Sequence, residues 1–152
     1  MYVVCGESSV IKMYTADTLS LLDDAIHVKG MREPRDIVAC HHHRQLSLYV
    51  AEYRNCIWRV SADDHSYVKW LPTDSTTHRF DVYKLSTTSR GILVTSCSRT
   101  LCEYSTADAH LLRVVHLPAY MYMLIHAIES SRGTFIVCHQ NTPHDKWQHA
   151  VN

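Results

Sequence analysis

An all-β fold, a partial β-propeller of about three to four blades of four-stranded antiparallel sheet, is what this sequence of 152 residues predicts. Three observations predict it. A pair of short apolar runs around a polar break comes four times, starting at Tyr2, Leu48, Ile92 and Phe135, which are 46, 44 and 43 residues apart. The runs are rich in β-branched and aromatic residues and are too short for helices. The flanks repeat with them, which gives four short strands in about 45 residues, the period of a propeller blade.

The four segments align without gaps as "YVVCGESSVIKMYT", "LYVAEYRNCIWRVS", "ILVTSCSRTLCEYS" and "FIVCHQNTPHDKWQ". Their third column is Val4, Val50, Val94 and Val137; their tenth is Ile11, Ile57, Leu101 and His144. The thirteenth is Tyr14, Val60, Tyr104 and Trp147. Each segment reads as a β-hairpin with an open turn, strands b and c of a blade. The triplets "TAD" (Thr15 to Asp17), "SAD" (Ser61 to Asp63) and "TAD" (Thr106 to Asp108) follow, where Asp can bond nearby amides in a turn. Strand d comes next in "AIHV", "YVKWLP" and "LLRVVHLP"; strand a precedes the later hairpins in "RDIVAC", "FDVYKLS" and "MLIHAIE". The chain thus holds strands b to d of one blade, two full blades, and strands a to c of a fourth, in one incomplete domain. The pieces run about 1–31, 35–72, 80–118 and 121–152. Unbroken apolar runs such as "FIVC" suit sheets covered on both faces, where a half-exposed strand would alternate. A sandwich is the alternative meander, but sandwiches rarely keep a sequence period.

Composition narrows the function classes. Lys plus Arg and Asp plus Glu are both 15, so the formal net charge is zero. An overall electrostatic grip on RNA or anionic lipid needs a basic excess, so RNA is the weaker partner and no membrane is expected. No apolar run approaches a membrane span, and the N-terminus lacks a signal-peptide pattern. A cytoplasmic location is the default expectation, with the six cysteines as free thiols. Four Gly and four Pro are few for so many turns, so Asn, Asp and Ser must carry them.

The stretch "DIVACHHHRQLSLYVAEYRNCIWRVS" resembles an NHL repeat, from six-bladed propellers. Pro34 and Ile37 match that family's lead-in, Leu48 to Ala51 its "LYVAD" strand, and Asn55, Ile57, Arg59 and Val60 its turn and next strand. Glu52 stands where an Asp is usual, and the third and fourth turns lack the acidic start. The low-density lipoprotein receptor type of propeller is a close relative in pattern. No Gly-His lead-in or Trp-Asp ending points to WD blades. The resemblance implies a non-enzymatic interaction module, chiefly a protein-binding scaffold. Known closed propellers have at least four blades, so the chain reads as a fragment of a repeat array, with open blade edges able to self-associate.

The residues singled out for contact are Glu52, Tyr53, Arg54 and Asn55 in the b–c turn of the second blade, and Arg99 in that of the third. Tyr and Arg are common interface anchors. The rival function is a fragment of a metal-dependent propeller hydrolase or lactonase, whose ligand types here are Glu52, Asn55 and Asp36. No nucleophile-elbow, Walker or HExxH pattern is present, no catalytic residue is assigned and no cofactor is expected. "ACHHHRQ" offers His41 and His43 as weak metal candidates, because alternate residues of a strand share a face. His139 and His144 near the C-terminus are similar, without the paired spacing of structural zinc. Cys97, beside Arg99, is the most exposed thiol expected, whereas Cys138 and Cys5 share a packing column. "AYMYMLI" (Ala119 to Ile125) reads as core.

Overall fold

The computed structural model describes residues 1–42, 45–53, 56–72, 82–96 and 99–140. They form thirteen strands in four antiparallel meanders. The first sheet is β1 (Tyr2–Val4), β2 (Val10–Tyr14) and β3 (Leu21–His27). The second is β4 (Pro34–His42), β5 (Gln45–Glu52), β6 (Cys56–Ser61) and β7 (Tyr67–Pro72). The third is β8 (Val82–Thr87), β9 (Gly91–Ser96), β10 (Thr100–Ser105) and β11 (Leu111–His116). The fourth pairs β12 (Tyr122–Glu129) with β13 (Phe135–Gln140). The expected strand c of the fourth blade falls on 141–152, outside the described residues. Within each sheet every strand pairs with its sequence neighbours.

The sheets stack face to face, with β8 packed against both β4 and β12. Three apolar clusters fill the seams. Ile11, Ile26, Val28 and Met31 meet Leu48, Val50, Trp58 and Val60 between the first and second sheets. Tyr49, Ala51, Ile57 and Trp70 meet Leu85, Val94, Cys102 and Tyr104 between the second and third. Leu93 and Leu101 meet Leu124 and Ala127 between the third and fourth. Adjacent residues of one strand therefore serve different seams: Val50 faces back to the first sheet and Tyr49 forward to the third. That is the two-residue period of a strand applied to a sheet buried on both sides. In the second seam the Tyr49 and Trp70 rings meet edge to face at 4.8 Å, and Trp70 meets Tyr104 at 6.2 Å.

The valine column holds in three of its four members. Val50, Val94 and Val137 all face the preceding sheet. Val4 does not. It stands opposite Ile11, whereas Val50 stands opposite Trp58 and Val94 opposite Cys102. The first turn is one residue out of step with the next two, and a one-residue slip exchanges the faces of a strand. Tyr2 and Val4 accordingly pack toward the second sheet, as Tyr49 and Ala51 pack toward the third.

The c–d turns repeat more closely in backbone than in sequence. The amides of Thr15, Ser61 and Ser105 donate to the carbonyls of Ser20, Ser66 and His110 at 2.8–3.0 Å. Four residues after each donor lies a left-handed residue: Leu19 at φ 53°, His65 at 58° and Ala109 at 58°. None is glycine, which is how the chain makes these turns with so few. The matching triplets are not the equivalent acids: Asp64 and Asp108 occupy the same place, each accepting from the amide two residues on at 3.1 Å.

Gly91 is required for a different reason. A Cβ there would lie 2.0 Å from the Tyr104 carbonyl oxygen, across the β9–β10 ladder. Gly91→Ala is expected to destabilise the fold by about 1–3 kcal/mol, the usual range for overpacking. His65→Gly should act the other way, relieving the left-handed backbone for a gain of up to ~1 kcal/mol. Thermal melts of both variants measure this, and a neutral Gly91→Ala would contradict the β9–β10 register.

Candidate interaction surface

The seams are fastened by carboxylates. At the end of β5, Glu52 is 1% exposed. Its Oε1 accepts the Arg32 amide at 2.7 Å, from the segment joining β3 to β4. Its Oε2 accepts the Trp58 indole N–H at 2.8 Å and the Cys56 thiol at 3.5 Å. Burial and this neighbouring carboxylate push the Cys56 thiol up to about 12, so it stays protonated. Asp36 on β4 crosses the second seam, where it accepts the Leu85 amide at 2.7 Å and pairs with Lys84 at 3.4 Å. The Tyr49 hydroxyl donates across the same seam to the Thr106 carbonyl.

The third seam carries an ion network. Glu103 is 0% exposed; it accepts the Thr88 hydroxyl at 2.6 Å, Arg113 Nε at 2.7 Å, and the Arg90 guanidinium. Burial alone would raise its carboxyl, but the bonds from Thr88 and Arg90 and the Arg113 charge outweigh that and hold it below the usual range. Glu129 of β12 accepts the Ser89 amide at 2.6 Å and Arg113 at 3.4 Å, and the Ser89 bonds lower its carboxyl too. Arg113 also lies over the Phe135 ring at 4.2 Å, and the Ser86 hydroxyl donates to the Ala127 carbonyl at 2.6 Å.

With those acids engaged at the seams, a set of accessible aromatic and charged groups lies on the b–c turns and the connections between sheets, which share one end of the sheets. Tyr53 is half-buried; its amide donates to the Glu33 carbonyl at 2.9 Å, and Arg35 stacks over its ring at 4.7 Å. Arg35 also pairs with Glu33 at 3.6 Å, and both side chains are about half exposed. In the third sheet's turn Arg99 is exposed and its carbonyl accepts the Leu117 amide at 2.9 Å. Tyr120, in the connection that follows, is 65% exposed and meets the His139 ring edge-on at 6.4 Å.

The residues singled out from the sequence therefore divide. Tyr53 and Arg99 lie on the accessible turns, but Glu52 is an internal fastening: its turn-end position hid the fact that the next connection folds over it. Arg54 and Asn55 lie outside the described residues, as do Cys97, His43 and His144. His41 is exposed and His139 half-buried, and no cluster of three metal-ligating side chains occurs among the described residues. Arg35 and Glu33 were missed; their one signal is their place beside Pro34 in the lead-in. The "AYMYMLI" stretch is not uniformly core. Leu124 is buried, but Tyr120 in the connection before β12 is exposed, as are Met123 and Ile125, on either side of Leu124 where β12 shifts register. Cys5 and Cys138 are exposed rather than packed, and the five described cysteines are free. No described helix is long and apolar enough to cross a membrane.

No family model matches this sequence, and no curated protein matches it. Solved structures do. A crystal structure of BBS1N in complex with ARL6DN, soaked with lead, superposes with a TM-score of 0.65 at 15% identity, covering 88% of this chain and 39% of that one. A mercury-soaked crystal of the same complex gives 0.61 at 14%, covering 88% and 42%. The chain thus spans about two fifths of the length of the solved chains it matches. The similarity is one of fold: this chain is an incomplete β-propeller of antiparallel sheets.

Two outcomes follow from the fastenings. Glu52→Ala strips the Arg32 amide and Trp58 indole of their acceptor, for an expected loss of about 1–3 kcal/mol in urea unfolding. Glu103 and Glu129 titrate lower when folded than their ordinary 4.5. Their stabilisation is complete above that value and is lost as pH falls through the depressed folded values. The melting temperature should therefore drop on acidification below about pH 4.5. The drop should be shallower in Glu103→Gln; an unchanged slope would assign the acid lability elsewhere.

Proposed function

We propose that this chain is a non-enzymatic interaction module, part of an NHL-like propeller that presents the b–c turns and inter-sheet connections to a protein partner. The observation that carries this reading is the Glu33–Arg35–Tyr53 group, with Glu33 and Arg35 exposed and Tyr53 half-buried, held on a rigid sheet end by the buried Glu52 fastening just behind it. Arg stacked on Tyr gives a pre-ordered, amphipathic contact at low entropic cost. Arg99 and Tyr120 extend the same kind of surface on the next sheet. The single domain with pieces about 1–31, 35–72, 80–118 and 121–152 is part of the proposal, as is the NHL-like type, which rests on the motif from Pro34 to Val60. BBS1N is itself found in complex with another protein, ARL6DN, which supports protein as the partner class. The balanced charge supports it over RNA.

The test is cross-linked capture by the full chain, followed by nuclease treatment. Capture should resist nuclease and fall at least tenfold in Arg35→Glu or Tyr53→Ala, as for an interface anchor. It should persist in Asp63→Lys, a control in the c–d turn at the opposite end of the sheets. Equal capture by all variants, or release by nuclease, would overturn the proposal.

A further inference from the structure

Strands β3, β7 and β11 stand at the ends of their sheets, so among the described strands each has one neighbour only. A bare strand edge invites another strand, and native sheets block it with outward charge or proline. The exposed Asp23 and Asp24 block β3; the exposed Lys69 blocks β7, which ends on Pro72. β11 carries no such block. Its only Lys, Arg, Asp or Glu is Arg113, whose guanidinium is held by Glu103 and Glu129 and lies over Phe135. What β11 exposes instead is Leu111 at 41%, Leu112 at 37% and Val114 at 41%. Its edge can be read residue by residue. The Leu117 amide donates inward, to the carbonyl of Arg99 just before β10. Bonding direction alternates along an antiparallel strand, so Val115 and Arg113, opposite Leu101 and Glu103, also bond to β10. The N–H and C=O groups of Val114 and His116 therefore point away from the sheet.

We propose that two copies of this chain join at β11, antiparallel about a two-fold axis, into one continuous sheet. The edge asks for an apolar strand with no outward carboxylate or ammonium, running the opposite way. A second β11 is such a strand, and a two-fold axis presents it in that sense. Charge sets the register. With the axis at Val114, this residue exchanges backbone bonds with its own copy, and Arg113 stands opposite Val115 of the second copy. Moving the axis to Arg113 would set two guanidinium groups opposite each other, which is repulsive. Moving it to Val115 would bring Pro118, which has no N–H, into the ladder. The Val114 register satisfies the outward groups of Val114 and covers the exposed valines and leucines of both copies.

The test is amide hydrogen exchange of the full chain, followed by NMR over a dilution series, with light scattering for mass. The mass should fall from dimer to monomer on dilution. The Val114 and His116 amides should lose protection with it, while those of Val115 and Leu117 keep theirs. Val114→Lys, which sets like charges at the axis, should give a folded monomer. Leu22→Lys, on the already blocked β3, should stay dimeric. Should Val114→Lys not fold, the exchange pattern of the unaltered chain decides alone. A monomer at every concentration, a dimer whose Val114 and His116 amides exchange freely, or a dimer of Val114→Lys overturns the proposal. So does protection of those amides in a monomer, because another part of the chain then covers the edge. Capture through the Tyr53 surface can fail while the dimer persists, so the two readings are judged apart.

Discussion

The second and third sheets of this protein each have two greasy faces, and each face is covered by a neighbouring sheet. That requirement organises everything else. A strand buried on one side only would alternate apolar and polar residues; here Leu48, Tyr49, Val50 and Ala51 are all fully buried. Four consecutive buried residues are stable only if a neighbour covers each side. The result is a stack in which every seam is a miniature hydrophobic core, and burial of apolar area at about 25 cal/mol per Å² is its chief stabilising force.

Apolar contact is not directional, so it does not set how one sheet sits on the next. The carboxylates at the seams do. Asp36 takes a backbone amide of the third sheet, Glu129 takes one of the third from the fourth, and Glu52 takes one from the connection leaving the first. A carboxylate accepting a backbone N–H has a narrow range of acceptable geometries, most of all at buried Glu52, where a lost bond leaves a desolvated charge. These residues therefore act as register marks between sheets. Arg113 joins Glu103 to Glu129 and covers Phe135 besides, which concentrates charge at the third seam.

The same division explains where a partner could be met. Glu52, which the sequence pattern places at a surface turn, is consumed inside, and the group left accessible beside it is a stacked Arg and Tyr with Glu33. Their rigidity comes from the strand ends beneath. Tyr53 is tied by its amide to Glu33, and Arg35 is the second residue of β4, just after Pro34. A contact group of this kind is ordered before any partner arrives, which lowers the entropy cost of binding.

Strand positions, their grouping into repeats and the propeller class were legible in the sequence, because the two-residue period and the spacing of about 45 are properties of the chain itself. So was the inward role of Val50, Val94 and Val137. Three matters were decided only by tertiary structure. Val4 faces the other way because the length of a turn, not the identity of a residue, sets register. Asp64 rather than Asp63 matches Asp108, because backbone hydrogen bonds define the turn while the triplets only resemble one another. Glu52 is buried because a connection from the preceding sheet closes over it, and nothing within its own strand records where that connection will lie.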